Sequence, residues 1–549
     1  MTLNAIPRNL LSRATPVILS ALIALGPLAT LPTAATAQVA ATEAQQMAFR
    51  QAVAEGAAQD DAVAAFYRET RYAPLWTTDD RQGQDRRRAL IEAMDRADAH
   101  GLPGRRFDPA PLMDEMRSAR TPRALGLLEA KLSRAFLDYA KALQTGILDP
   151  RRVVSGIKRD VPVRDRLSQL KAFAEAQPYA FFRALPPSTA QYAHLMKEKM
   201  RLERLVAAAA WGATVPSGKL EPGDSGASVV ALRNRLVTMG YLERSASRSY
   251  DAAIQTAVQR FQTAHGLAVD GIAGPSTIDE LNVGAEERLH SVIVAMERER
   301  WLNRPRGKRH ILVNLSDFSA RIVDNDVVTF ETRAVIGAPS DDRQSPEFSD
   351  VMEHMVINPT WNVPRSIAVK EYLPQMRRNP NAAGHLRIVD SRGRTVPRSA
   401  INFAALTPQN FPFDLKQPPS NRNALGLVKF MFPNRYNIYL HDTPQKSLFD
   451  RESRAFSHGC IRLHRPFEFA YALLARQTND PEGFFKARLN TGRETTVMLD
   501  EPVPVHLIYR TAVANPKGEV EYRRDVYGRD ARIWQALAGA GVATPAVQG

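Results

Sequence analysis

Ser457-His458-Gly459-Cys460-Ile461-Arg462 holds the only cysteine of the 549-residue chain. It follows a second histidine segment, Ile438-Tyr439-Leu440-His441-Asp442. Exported proteins normally use cysteines in pairs, as disulfides, and this chain opens with what reads as an export signal. A lone cysteine cannot pair within the chain, so it is inert or kept for its chemistry. The neighbours favour chemistry. A thiolate needs a base, an oxyanion needs backbone N–H donors, and a substrate carboxylate needs a cation.

Within that reading Cys460 is the nucleophile and His441 the proton acceptor and donor. Gly459 lets the backbone approach closely and offers its N–H to an oxyanion, with the Cys460 N–H as second donor. Asp442 orients His441, through its backbone carbonyl or, in competition, its carboxylate. Arg462 is suited to a bidentate carboxylate contact. His441, His458, Cys460 and His464 also form a candidate zinc set, but their spacing is not a usual structural-zinc pattern. A buried core cysteine is the bland alternative.

Working outward, residues 1–37 read as a secretory signal, with Arg8 and Arg13, an apolar run from Pro16 to Leu31, and an Ala35-Thr36-Ala37 cleavage site. An uncleaved anchor is the alternative; Pro27, Pro32 and the short apolar run disfavour it. Export makes nucleic acid an unexpected partner despite a formal net charge of +15. The accessible polyanions are the wall and envelope, with weak membrane-surface association a lesser expectation.

Residues 38–215 are Ala-rich and helix-favouring, as in Thr42–Glu69, Asp85–His100, Thr121–Thr145 and Thr189–Ala210. Leu128, Leu132, Phe136, Tyr139 and Leu143 recur at helical spacing, and Gly146 is the C-cap signal. Nothing catalytic stands out there, so a helical scaffold is expected. Gly212–Gly226 reads as a linker. Residues 221–283 predict two amphipathic helices and a Gly-rich turn into a third. From His310 the texture changes to short strands, predicting a β-rich sandwich or barrel over 305–505. A Pro- and Asn-rich insertion at 369–429 carries a short helix near Val369–Arg377 and is expected to cap the site. Residues 506–549 are read as C-terminal strands and a tail.

Two segments resemble known families. Ala257-Val258-Gln259-Arg260-Phe261-Gln262, then Gly266-Leu267, Asp270-Gly271 and Gly274-Pro275-Ser276-Thr277, resemble the type 1 peptidoglycan-binding domain, which implies wall binding. His441 followed by Ser457-His458-Gly459-Cys460-Ile461-Arg462 resembles the L,D-transpeptidase catalytic domain with its YkuD-like sandwich. Val335-Ile336-Gly337, Ser345-Pro346-Glu347-Phe348 and Asn358-Pro359-Thr360-Trp361-Asn362-Val363-Pro364 match it too. The layout is similar to the large periplasmic enzymes of Gram-negative bacteria. Arg462 stands where many members carry Asn.

The resemblance implies acyl transfer on peptidoglycan tetrapeptide stems, giving a 3→3 cross-link, with no cofactor or metal and with carbapenems as inhibitors. It also places Ser457, His458, Tyr439 and Trp361 at the substrate. Water as acceptor would make an L,D-carboxypeptidase or endopeptidase, and attachment of an envelope protein is a third acceptor choice. A non-catalytic wall-binding scaffold is the rival from another class.

Overall fold

The computed structural model describes residues 34–544; the expected signal segment lies almost wholly outside them. A helix at Ala34–Ala57 runs through the expected cleavage position, and Asp60 caps a separate helix at Asp61–Glu69. The helix-favouring stretch Thr42–Glu69 thus falls in two helices, because the Asp60 side chain accepts the Val63 N–H and starts the second. Among the described residues no helix is long and apolar enough to cross a membrane.

The scaffold packs around the helix Pro122–Thr145, capped by Thr121 and ended at Gly146. Leu128, Leu132, Phe136, Tyr139 and Leu143 are buried along one face. On the same helix the buried Glu129 carboxylate accepts N–H groups of Leu75, Trp76 and Thr77 and the Tyr67 hydroxyl. It thereby satisfies the turn that seats Trp76 in the core.

The small module has helices at Ala227–Met239, Ala252–Ala264 and Pro275–Leu281 around Val229, Leu232, Leu236, Val258 and Phe261. Its core also takes Val215, and Leu220 pairs with Ala273, so half of the expected linker belongs to the module.

The β-rich domain has strands β1 (Arg309–Asn314), β2 (Ser319–Asp324), β3 (Val327–Gly337), β4 (Phe348–Ile357), β5 (Trp361–Asn362), β6 (Arg387–Val389), β7 (Asp414–Gln417), β8 (Val428–Met431), β9 (Leu440–His441), β10 (Ala455–Ser457), β11 (Ile461–Leu463) and β12 (Thr495–Ile508). Nine of them form one sheet in the order β10-β3-β11-β9-β8-β4-β12-β1-β2, and β2 also pairs with β3. The sheet thus closes on itself around Ile311, Val313, Met355, Phe430 and Leu463. Helices Pro466–Leu474 and Pro481–Leu489 pack on that core through Phe469 and Phe485.

Three boundaries differ from expectation. β5 pairs with β7 and β7 with β6 in a separate sheet, while β8 belongs to the main one, so the insertion occupies about 361–427 rather than 369–429. Residues 506–508 finish β12. The rest of the C-terminal segment has the expected strands, as the hairpin β13 (Ala512–Ala514) and β14 (Val520–Tyr522), but a helix at Arg529–Gly539 stands where a tail was expected. A helix at Ala285–Trp301, unanticipated, joins the module to β1; Ile533 and Leu537 of the last helix pack with it.

Candidate active site

Register decides what faces the site. β9 and β11 run parallel, with Leu440 opposite Ile461 and His441 opposite Arg462. Leu440 and Ile461 are fully buried in the core. Side chains alternate along a strand, so Tyr439, His441, Cys460 and Arg462 share the other face. β8 adds Lys429 opposite His441. That face and the insertion enclose a cavity of about 810 Å³ lined by Cys460, His441, Arg462, Tyr439, Trp361, Ser457 and His458. All the expected side chains except that of Asp442 line this cavity.

Cys460 is partly buried, and its thiol donates to the Asn437 carbonyl at 3.5 Å rather than to His441. Burial pushes the thiol up to about 11, against the Tyr439 hydroxyl and the Arg462 and Lys429 charges. His441 is 4% exposed. Burial, then the Arg462 charge, pushes its imidazole down to about 3. The resting pair is therefore neutral thiol and neutral imidazole. A buried imidazolium beside Arg462 would face an uncompensated cation.

Asp442 divides its two functions. Its backbone carbonyl lies 2.5 Å from His441 Nδ1. A proton on Nδ1 there leaves Nε2 as the acceptor. Its carboxylate accepts the Leu427 N–H at 2.9 Å and the Lys446 ammonium at 2.7 Å, which engages it elsewhere. A side chain on Gly426, at φ +62°, would collide with that carboxylate.

The nucleophile turn departs from expectation at Gly459. Its N–H donates to Ser457 Oγ at 3.1 Å, while Ser457 Oγ donates to the Cys460 carbonyl at 2.5 Å. The Gly459 N–H is thus spent inside the turn in this conformation. The Cys460 N–H has no partner among the described residues. Gly459 holds φ +110°, a backbone shape that other residues rarely adopt.

Ser345, from which the sequence drew nothing, pins this turn. Its hydroxyl donates to the Gly459 carbonyl at 2.7 Å and accepts the Gly337 N–H at 2.9 Å. The Tyr527 hydroxyl donates to the Gly337 carbonyl at 2.6 Å, and Arg529 to the Ser345 carbonyl at 2.7 Å. The only advance signal for Ser345 was its place in the Ser345-Pro346-Glu347-Phe348 stretch.

Arg462 donates to Gln445 Oε1 at 2.6 Å, and no carboxylate lies within ion-pair distance of it among the described residues. His458 is engaged within the cavity wall: its Nε2 meets Glu371 Oε1 at 2.5 Å, and Arg343 reaches the same oxygen at 2.8 Å. These contacts tie the insertion to the loop before β4 and to the nucleophile turn. Trp361 and Tyr439 are buried in the insertion's core with Leu373 and Leu415. Among the described residues no three His, Cys, Asp or Glu side chains are gathered as a metal site, so His441, His458, Cys460 and His464 do not form the candidate zinc set.

Residues 308–487 match the family described as "L,D-transpeptidase catalytic domain", residues 225–281 the "Putative peptidoglycan binding domain", and residues 61–198 the "Scaffold domain". The chain carries an L,D-transpeptidase catalytic domain joined to a peptidoglycan-binding domain and a helical scaffold. A protein of Haemophilus influenzae named "Putative L,D-transpeptidase" is 30% identical over 246 residues, 44% of this chain and 48% of that protein. The "Zinc D-Ala-D-Ala carboxypeptidase" of Streptomyces albus G is 45% identical over 69 residues, 12% of this chain and 26% of that protein. The chain thus spans about half or less of the length of these curated relatives. The crystal structure of an L,D-transpeptidase from Stackebrandtia nassauensis is 14% identical, covering 53% of this chain and 96% of that one, with a TM-score of 0.22. Wall-acting domains of these kinds imply a location outside the cytoplasm.

Proposed function

We propose that the protein is a periplasmic L,D-transpeptidase that forms 3→3 peptidoglycan cross-links through a Cys460 acyl-enzyme on tetrapeptide stems. The observation that carries this is the register. It sets Cys460, His441 and Arg462 on one face of adjoining parallel strands, beneath the insertion.

The step begins from the neutral pair. Substrate entry displaces the thiol from the Asn437 carbonyl, and its proton passes to His441 Nε2 as sulfur attacks the carbonyl carbon of the stem's third residue. The Cys460 N–H meets the oxyanion. The Gly459 N–H joins it when Ser457 turns away. Collapse breaks the L,D amide, the terminal D-Ala amine leaves with the proton from His441, and a thioester remains. The side-chain amine of a second stem attacks that thioester, gives its proton to His441, and the sulfur leaves and takes the proton back. Arg462, without a carboxylate of its own, is the receptor for a stem carboxylate. Tyr439 and Trp361 form the apolar wall. His458 acts through Glu371 on the cap and Ser457 on the turn. Carbapenems are expected to acylate the same thiol. Residues 1–37 act as the export signal, and the small module tethers the enzyme to the wall, with any membrane-surface association secondary.

Incubation with purified disaccharide-tetrapeptide, read by mass spectrometry, tests the reading. A 3→3 dimer with D-Ala release is expected. Tripeptide alone would make water the acceptor and the enzyme a carboxypeptidase. Cys460→Ala should lose at least about a thousandfold in turnover while still binding the wall. Turnover surviving that change would remove the mechanism.

A further inference from the structure

A second groove, of about 480 Å³, lies where the small module meets the catalytic sheet. One wall is the module's Gly266-Leu267. The other is the middle of β3, the start of β2 with the turn before it, the segment Glu452–Arg454 and the stretch following β11. Six arginines line it (Arg321, Arg333, Arg454, Arg465, Arg523, Arg524) against three carboxylates, Asp317, Glu331 and Glu452.

The pairing is uneven. Arg321 is answered by Asp317 at 3.1 Å and Glu331 at 3.0 Å. Arg524 is answered by Glu452 at 2.9 Å, Arg523 by Glu521 at 2.8 Å, and Arg465 by Glu468 at 3.2 Å. Arg454 meets only backbone carbonyls, those of Arg451, Asp317 and Phe318, and its Nε is buried without a partner. Arg333 holds the Phe449 carbonyl and has only the exposed Asp450 at 3.5 Å. Burial and then the Arg333 charge push the Arg454 guanidinium down to about 10, with Asp317 only partly opposing them.

We infer that this groove is an anion site, in which Arg333 and Arg454 receive a carboxylate of a peptidoglycan peptide stem while Leu267, Phe318 and Val526 receive its short aliphatic side chains. This rests on the wall-acting reading above. A carboxylate offers two oxygens to two guanidiniums, and charge-assisted bonds of that kind are the strong ones. A stem also carries methyl-sized side chains that suit the apolar lining, which bare phosphate lacks. The segment Glu452–Arg454 runs directly into β10 and the turn bearing Cys460. A stem held here and a stem at the nucleophile would therefore touch one continuous piece of chain.

Arginine footprinting with phenylglyoxal tests this on the full-length Cys460→Ala chain, which binds without turning over. Soluble disaccharide-tetrapeptide is expected to protect Arg333 and Arg454 about fivefold, and its fully amidated form to leave them reactive. Arg462 is the internal reference for the catalytic cavity. Protection of Arg462 with Arg333 and Arg454 unprotected would overturn the groove and spare the active site; the reverse would spare the groove alone. Equal protection by the amidated form, or by inorganic phosphate at the same concentration, would overturn the stem carboxylate as ligand. Arg454 braces backbone carbonyls and its loss risks misfolding, so Arg333→Gln serves as the variant. It should raise the muropeptide concentration needed to protect Arg454 by about tenfold. An unchanged concentration would count against the site.

Discussion

The catalytic cavity and the ion network behind it both bury ionisable groups, with opposite outcomes. In the cavity no carboxylate answers His441, and at Cys460 burial outweighs the Arg462 and Lys429 charges, so burial drives both to their neutral forms. Behind it, Glu347 meets Arg298 at 2.7 Å and Arg529 at 2.9 Å, and Arg298 also meets Asp530 at 2.9 Å. Burial pushes the Glu347 carboxyl up, but Arg298 and Arg529 outweigh it and hold it below its ordinary range. Asp530 is the weak member: burial, opposed by Arg298 and aided by Asp525, pushes it up to about 6. Paired burial holds charges in a fixed frame, and burial without an answering carboxylate leaves a neutral thiol and a neutral imidazole.

The hardest way to break that contrast is to unpair the frame. Glu347→Ala leaves Arg298 and Arg529 buried without their shared carboxylate and should cost about 3–5 kcal/mol, read by urea unfolding. A loss near zero would mean that water replaces the carboxylate.

Acid is the next lever, and its sign follows from His441. The folded chain keeps this imidazole neutral down to about 3, while the unfolded chain protonates it near 6.5. Within that window the unfolded state binds one more proton, so stability falls as pH falls. Relative to His441→Gln, the wild-type chain should lose up to about 1.4 kcal/mol per pH unit there. Identical slopes from urea unfolding across the window would show that His441 is not buried as a neutral base.

Ser345→Ala removes the tie on the Gly459 carbonyl. We expect a stability loss of about 1 kcal/mol and a roughly tenfold lower kcat with KM little changed, since the turn and not the cavity loosens. Glu371→Gln should do least. Its contacts to His458 and Arg343 are partly exposed, and such pairs contribute about 0–1 kcal/mol. A change in KM of about twofold without a change in Tm would place its role in holding the cap.

Cys460 and His441, the proposed nucleophile and base, stood out in the sequence because they sit in two short stretches, and strand alternation places them on a common face. The helix Ala285–Trp301 did not. Its Glu297, Arg298, Glu299 and Arg300 read as a solvated face, yet all four are buried. Their partners, such as Glu347 and Asp530, lie far along the chain. The engaged Gly459 N–H was equally hidden, since it depends on the rotamer of Ser457. The edges of the insertion slipped because Trp361 and Val428 are both strand residues, and nothing local says to which sheet each belongs.

The Tyr527 hydroxyl on the Gly337 carbonyl, and Arg529 on that of Ser345, have a consequence in time. Synthesis runs from the N-terminus, so every strand of the cavity leaves the ribosome before the two residues that brace the nucleophile turn. A chain interrupted anywhere before Tyr527 would hold Cys460, His441 and the whole cavity wall, yet its catalytic turn would still lack its support. The support of this turn therefore waits on Tyr527 and on the helix Arg529–Gly539, long after the strands it braces have been made.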